Sequence, residues 1–323
     1  MSVSKIGNEG LDLAALLRGS QGSVSPAASG TQGGVESFAL TLATFRSQTL
    51  ASLVDGESAS AVPASNAVAD LSALLATQSQ LSVADSSKVK GLSPTGRNLA
   101  LFDPESAYKM MTVINNDEVA YKAQYSELSQ MQAEVTRMQQ TGQQLGSIAP
   151  TSDNASIKAQ LQQFTEQYND WVRRFDPDMQ GGGLLAETQA AQVSRYELKQ
   201  SIENPFNGAS HGLRGLSDLG ISIDPVTKLA SLDTSRLDGV LASNKAGAVA
   251  TVQEFSANFA KSAQLLNSAG NFIPSRLGNL DRVIHYIADN KTALQAEFGL
   301  GDPAKPSAQV SQALAAYNST SGT

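Results

Sequence analysis

A seven-residue apolar repeat constrains the fold of this chain more than any other feature of its sequence. Ala107, Ile114, Tyr121, Leu128 and Val135 recur at this interval. Such a repeat places its members on one face of an α-helix. The sequence therefore predicts a helix of about 40 residues, on the order of 60 Å long at 1.5 Å per residue.

The start of this helix and its packing partners can be read from the flanking residues. Asp103 suits an N-cap and Pro104 suits the first helical position. Asp117 and Gln124 fall on the other apolar position of the heptad, which favours a helix inside a bundle over a free-standing coiled coil.

Thr151-Ser152-Asp153 predicts the start of a second helix. Further helices are expected over residues 184–203, 234–243, 246–267 and 274–298, with a weak final one over 307–317.

Residues 216–233 read LSDLGISIDPVTKLASLD and predict a hairpin over 219–232. Ile221 and Ile223 alternate with Ser222, the period-2 pattern of a half-buried strand. Asp224 and Pro225 suit the first two positions of a turn. Leu229 and Leu232 are expected on the return strand, and Asp233 is expected to cap the next helix.

The two ends of the chain differ from the middle. Residues 1–97 are rich in Ser, Ala, Gly, Gln and Thr, and their apolar patches are too short to fold alone, so a disordered tail and possible export signal are expected. Residues 301–323 are expected to form a flexible C-terminal tail. The predicted fold is mainly α: an elongated helical bundle over 98–300 with one small antiparallel β-hairpin.

Composition excludes several classes of protein. There are no cysteines, which excludes a disulfide framework and any thiolate metal site. The net charge is −7, from 23 basic and 30 acidic residues. The chain has no block of basic residues, so nucleic acid is not expected as a partner. No apolar run reaches the roughly 18–20 residues of a membrane span. The N-terminus lacks the pattern of a signal peptide, so the protein is expected either to stay in the cytoplasm or to leave by a route that needs no such signal.

The loop that begins at Asp176 has the spacing of a calcium-binding loop. With Asp176 as position one, Asp178, Gln180, Gly181 and Glu187 fall at positions three, five, six and twelve. The competing interpretation is a glycine-rich connection with acidic residues near a helix start. Pro177 fits the calcium loop poorly, and we favour the plain connection, with no metal and no cofactor.

The sequence offers no catalytic constellation. His211 and His285 have no nucleophile motif beside them and no ligand spacing to each other. The glycine runs at 181–183 and 208–215 match no phosphate-binding pattern. The sequence therefore predicts a protein that is not an enzyme.

Aromatic residues at helical spacing are the candidate interaction site. They are interpreted first as core, with a share of them available to a subunit contact, because Trp and Tyr are enriched at interfaces. The candidate interface residues are Tyr121, Tyr125, Phe164, Tyr168, Trp171 and Phe175.

Five ordered motifs between about residues 157 and 290, roughly 40% of the chain, resemble the C-terminal part of the flagellar filament cap protein family, hook-associated protein 2. The matching residues are Tyr168-Asn169 with Val172, Gly183-Leu184-Leu185-Ala186, Leu216-Ser217-Asp218-Leu219-Gly220-Ile221, Leu232-Asp233 with Leu237 and Leu241, and Ile273-Pro274-Ser275-Arg276. The resemblance implies an extracellular structural protein at the end of the flagellum. Its implied partners are further copies of itself and flagellin or hook-associated proteins.

The chain also departs from that family. The inserted β domains and the long terminal helix that forms a coiled coil have no counterpart, and Pro303 and Pro306 interrupt the chain after Gly299. The turn at 224–228 lacks the family's glycine, and one extra residue, Ala230 or Ser231, precedes Leu232, so a bulge is expected there. The alternative function is a cytoplasmic adaptor or chaperone for flagellar subunits.

Overall fold

The computed structural model describes residues 92–205 and 212–321, and these form a helical bundle with one small antiparallel sheet. The mainly α fold with a single hairpin predicted from the sequence is therefore confirmed. The disordered tail predicted for 1–97 lies, up to residue 91, outside the described residues. The elements are α1 Pro104–Leu145, α2 Asn154–Phe175, a short 3-10 turn Pro177–Met179, α3 Gln189–Glu203, β1 Ile221–Ile223, β2 Ala230–Leu232, α4 Thr234–Ser243, α5 Lys245–Leu266, α6 Phe272–Phe298 and α7 Ala308–Ser321.

Helix α1 organises the bundle. It has 42 residues, and the Asp103 carboxylate caps it by accepting from the Ser106 backbone N at 3.0 Å, with Pro104 as its first residue. Ala107, Ile114, Leu128 and Val135 of the heptad are buried. Helices α5, α6 and α7 pack along it. The predicted length, cap and buried face are all confirmed.

The centre of the core is aromatic. The Phe164 ring meets the rings of Phe255 and Phe259 edge to face, with centroids 5.1 and 4.9 Å away. Gly142 of α1 allows this approach, because a Cβ there would lie 2.6 Å from the Phe259 ring. This packing joins α1, α2 and α5 into one core.

The hairpin strands pair without interruption. Ile221 faces Leu232, Ser222 faces Ser231 and Ile223 faces Ala230 in antiparallel register. Both isoleucines are buried and Ser222 is exposed, as predicted. The bulge expected before Leu232 is absent from this ladder, because all three residue pairs follow one continuous register.

Hydrogen bonds to Asp224 and the backbone conformation of Lys228 define the turn. The Asp224 carboxylate accepts from the backbone N of Val226 and Thr227 at 2.9 and 2.6 Å. The Asp224 carbonyl accepts from the Lys228 N at 2.8 Å. Lys228 has φ +61°, the left-handed conformation that favours glycine. The return strand begins at Ala230, so Leu229 lies in the turn.

Two further boundaries differ from the sequence predictions. Helix α3 begins at Gln189 rather than 184, because residues 184–188 form turns in which the Leu185 side chain is buried. The C-terminal segment, expected to be a flexible tail, contains helix α7 packed on α1. The weak helix predicted over 307–317 is thus confirmed as a helix.

Candidate interaction surfaces

Four of the six candidate interface residues belong to the core of this chain. Phe164, Tyr168, Trp171 and Phe175 are each no more than 3% exposed. This burial agrees with the first interpretation of the stripe, a core face of α2. A subunit contact through these four residues stays a prediction.

Tyr121 and Tyr125 are half-buried on α1 beneath the C-terminal helix. The Tyr125 ring meets the Tyr317 ring edge to face with centroids 5.7 Å apart, and Lys122 Nζ lies 6.0 Å from the Tyr317 centroid. The face that carries these tyrosines is therefore covered by α7 of the same chain.

Asn169 joins the helical layer to the hairpin. Its Oδ1 accepts from the Ala230 N at 2.7 Å and its Nδ2 donates to the Ala230 carbonyl at 2.9 Å. The buried amide thus satisfies both backbone groups of one strand residue, as a neighbouring strand would. Sequence analysis noted the Tyr-Asn pair but not this role.

Gly220, directly before β1, permits close approach of two backbone segments. Gly220 has φ +90°, and a Cβ there would lie 2.7 Å from the Asp233 carbonyl oxygen. The Asp233 N donates to the Gly220 carbonyl at 2.9 Å. This contact starts α4 directly beside the first strand.

Two acidic residues of the 176–187 loop, Asp176 and Asp178, contact cations of the protein itself. Asp176 accepts from Lys228 Nζ at 2.8 and 3.0 Å and lies 3.4 Å from Arg195 Nη1. Burial raises the Asp176 pKa, but these hydrogen bonds outweigh it, so its pKa lies below the usual value. Asp178 lies 3.1 Å from Arg174 Nη1. The favoured interpretation as a helix connection agrees with this geometry.

A second buried cluster lies where α1, α2 and α7 meet. Arg174 contacts Glu127 at 2.5 Å as well as Asp178, and Gln309 of α7 donates to the Asp178 carboxylate. Burial raises the Glu127 pKa more than Arg174 lowers it. One guanidinium therefore serves two buried carboxylates, and α7 contributes a neutral donor.

The described histidine does not take part in a site. The His285 side chain is largely exposed, and its Nδ1 lies 2.8 Å from the Asp281 carbonyl oxygen and 3.3 Å from the Asp281 carboxylate, one turn earlier in α6. His211 lies outside the described residues. Within residues 92–205 and 212–321, no group of three His, Cys, Asp or Glu side chains is placed to hold a metal ion.

Three large apolar side chains are exposed near the start of the described chain and directly after α6. Leu99, Phe102 and Leu300 are 67%, 81% and 46% exposed, and we call these three residues the end patch. Leu300 N donates to the Gly96 carbonyl at 2.8 Å, which brings the two segments together.

The end patch is held on a rigid base. Asn98, 3% exposed, donates from Nδ2 to the carbonyl oxygens of Ala296 and Glu297 at 3.1 and 2.9 Å. These carbonyls are in the last turn of α6, where intrahelical donors are missing. The Arg97 guanidinium lies 4.3 Å from the Tyr108 ring centroid and pairs with Glu105. The apolar side chains are thus presented on fixed backbone.

Comparison with known proteins gives no relative. No family model, no curated protein and no solved structure matches the chain. Among the described helices, none combines the length and apolar character needed to cross a membrane.

Proposed function

We propose that this chain is a structural assembly protein of the bacterial flagellum, similar to the filament cap, and not an enzyme. It acts outside the cell through self-association and through contacts with flagellin or hook-associated proteins. The observation that carries the proposal is the ordered set of five motifs. It is supported by the roles of Asn169, Gly220 and Asp233, which join the hairpin to α2 and α4.

The end patch is the surface we assign to self-association. Exposed large apolar side chains grouped on a rigid base are typical of interaction sites. Replacing Leu99 and Phe102 together by Ser changes exposed side chains only, so the fold is retained. The double variant should shift the full chain from oligomer to monomer in size-exclusion chromatography with light scattering.

A matched control separates the end patch from general surface hydrophobicity. Leu265, 51% exposed near the end of α5, lies outside the end patch. Leu265→Ser should leave the oligomer intact. A wild-type chain that is monomeric at all concentrations would refute self-association.

One observation favours the alternative, a cytoplasmic adaptor or chaperone for flagellar subunits. Helix α7 packs along α1, whereas the terminal helix of the family it resembles joins the N-terminal helix in a coiled coil. Immunoblots of culture supernatant decide between the two. The cap-like function predicts protein in the supernatant of the wild type and none when the flagellar export apparatus is deleted; protein confined to the cell pellet in both strains would favour the adaptor.

A further inference from the structure

A pocket lies between α2, α3 and the hairpin turn, distinct from the end patch. Its volume of about 420 Å³ falls within the range of small-ligand sites. Aromatic side chains form much of its wall: Tyr168, Trp171 and Tyr196. Tyr196 is 60% exposed, whereas the other two are buried. The pocket therefore has a fixed apolar base and an accessible aromatic edge.

One residue of the wall, Trp171, also has a polar atom without a described partner. Its Nε1 is buried and makes no hydrogen bond to any described residue. A buried indole N–H normally has an acceptor, so an unpaired one is destabilising.

The lining is also positively charged. It contains Arg195, Lys199 and Lys228 but a single carboxylate, Asp176, which gives a formal charge of +2. Asp176 is shared between Lys228 and Arg195. Lys199 pairs at 3.3 Å with Glu203, which is outside the lining. With Glu203 counted, three cations face two carboxylates, so an anion entering the pocket would still meet a net positive charge.

We propose that this pocket binds a carboxylate attached to an aromatic group. The aromatic group packs against the tyrosine and tryptophan rings, and the carboxylate is attracted by Arg195, Lys199 and Lys228. The same chemistry occurs in a free aryl acid and in the carboxyl terminus of a peptide that ends in an aromatic residue.

Trp171 is the single tryptophan of the chain, so intrinsic fluorescence reports on the pocket directly. Phenylacetate titrated into the full chain should give a saturable change in emission. Phenylacetamide, its neutral counterpart, should bind at least about tenfold more weakly, equivalent to about 1.4 kcal/mol. A linear response to phenylacetate, or equal affinity for the two compounds, would overturn the proposal.

Substitutions at the pocket edge test the residues without disturbing the core. Lys199→Glu and Tyr196→Ala should each weaken phenylacetate binding by about tenfold, with unchanged circular dichroism. Lys261→Glu, an equal charge reversal at an exposed position of α5 outside the pocket, should leave binding unchanged. Equal effects of the two lysine variants would refute a local role for Lys199.

A third ligand distinguishes a free aryl acid from the carboxyl terminus of a peptide. N-acetylphenylalanine has the ring, the carboxylate and the amide of a peptide terminus. Tighter binding than phenylacetate would identify a peptide carboxyl terminus as the ligand, and weaker binding would identify a free aryl acid. Failure of all three ligands to bind would overturn the site while leaving the proposed assembly function untouched.

Discussion

At the scale of single residues, Asn169 and Lys228 both join the hairpin to α2. Asn169 satisfies both backbone groups of Ala230 from within the core. Lys228 reaches Asp176 at the end of α2 from the turn. The hairpin has only three residue pairs, too few for a stable isolated hairpin. These side-chain contacts therefore contribute to holding it in place.

Asn169→Ala should destabilise the protein strongly. It removes two hydrogen bonds and leaves a buried backbone N–H and C=O of Ala230 without partners, so the free energy of unfolding should fall by about 2 to 4 kcal/mol. Urea unfolding followed by circular dichroism measures the change. Asn258→Ala, at an exposed position of α5, should stay within about 0.5 kcal/mol of wild type.

Substitutions of Lys228 test how much the left-handed conformation of the turn costs in stability. Its left-handed backbone costs a non-glycine residue about 1 to 2 kcal/mol, while its partly exposed ion pair contributes about 0.2 to 1 kcal/mol. Both Lys228→Gly and Lys228→Ala remove the ion pair, but only glycine relieves the backbone cost. The glycine variant should therefore be about 1 kcal/mol more stable than the alanine variant in urea unfolding. Equal stability would show that the turn rearranges.

At the scale of elements, α7 is attached to the bundle by few side chains. Ala313 is its single fully buried apolar residue among those described, Tyr317 packs partly against Tyr125, and Gln309 reaches Asp178. The connection before it is held more firmly. Asn115 Nδ2 donates to the carbonyl oxygens of Leu300 and Asp302 at 3.0 and 2.9 Å.

Hydrogen–deuterium exchange should therefore proceed at different rates in α7 and α1. We expect the amides of α7 to exchange at least about tenfold faster than those in the middle of α1, because helices with few buried contacts open at lower free energy. Tyr317→Ala should accelerate exchange in α7 and leave the middle of α1 unchanged. Equal protection of the two helices would contradict this prediction.

At the scale of the whole molecule, buried charges make stability depend on pH. Burial raises the pKa of Glu118, but hydrogen bonds from Lys122 and Lys291 outweigh it, and its pKa is lowered. Asp176 has a lowered pKa for a similar reason. Both contribute stability above their unfolded pKa values, near 4.5 and 3.8, which is lost as pH falls through the lower folded values. Glu127 acts in the opposite sense: its pKa is raised in the folded protein, so its contribution to stability is lost as pH rises through that value.

Glu118→Gln tests the ion pair between α1 and α6, in which Lys291 of α6 donates to the Glu118 carboxylate. At pH 7 the variant should be less stable by about 1.5 to 3 kcal/mol, the range for a hydrogen bond to a charged group. Its loss of stability from pH 5 to pH 3 should be smaller than in the wild type. Glu166→Gln, at an exposed position of α2, should reproduce the wild-type pH profile in urea unfolding at each pH.

Local sequence patterns determined the helices, the caps at Asp103, Asp153 and Asp233, and the alternation of Ile221 and Ile223, because these depend on neighbours within a few residues. Tertiary structure alone decided the rest. It buried the aromatic face of α2, laid α7 on α1 and paired Asn169 with Ala230. Such contacts join residues up to about 200 positions apart, as Asn98 and Glu297 do. Helical spacing states which face is apolar, but it does not state whether that face meets the same chain or another.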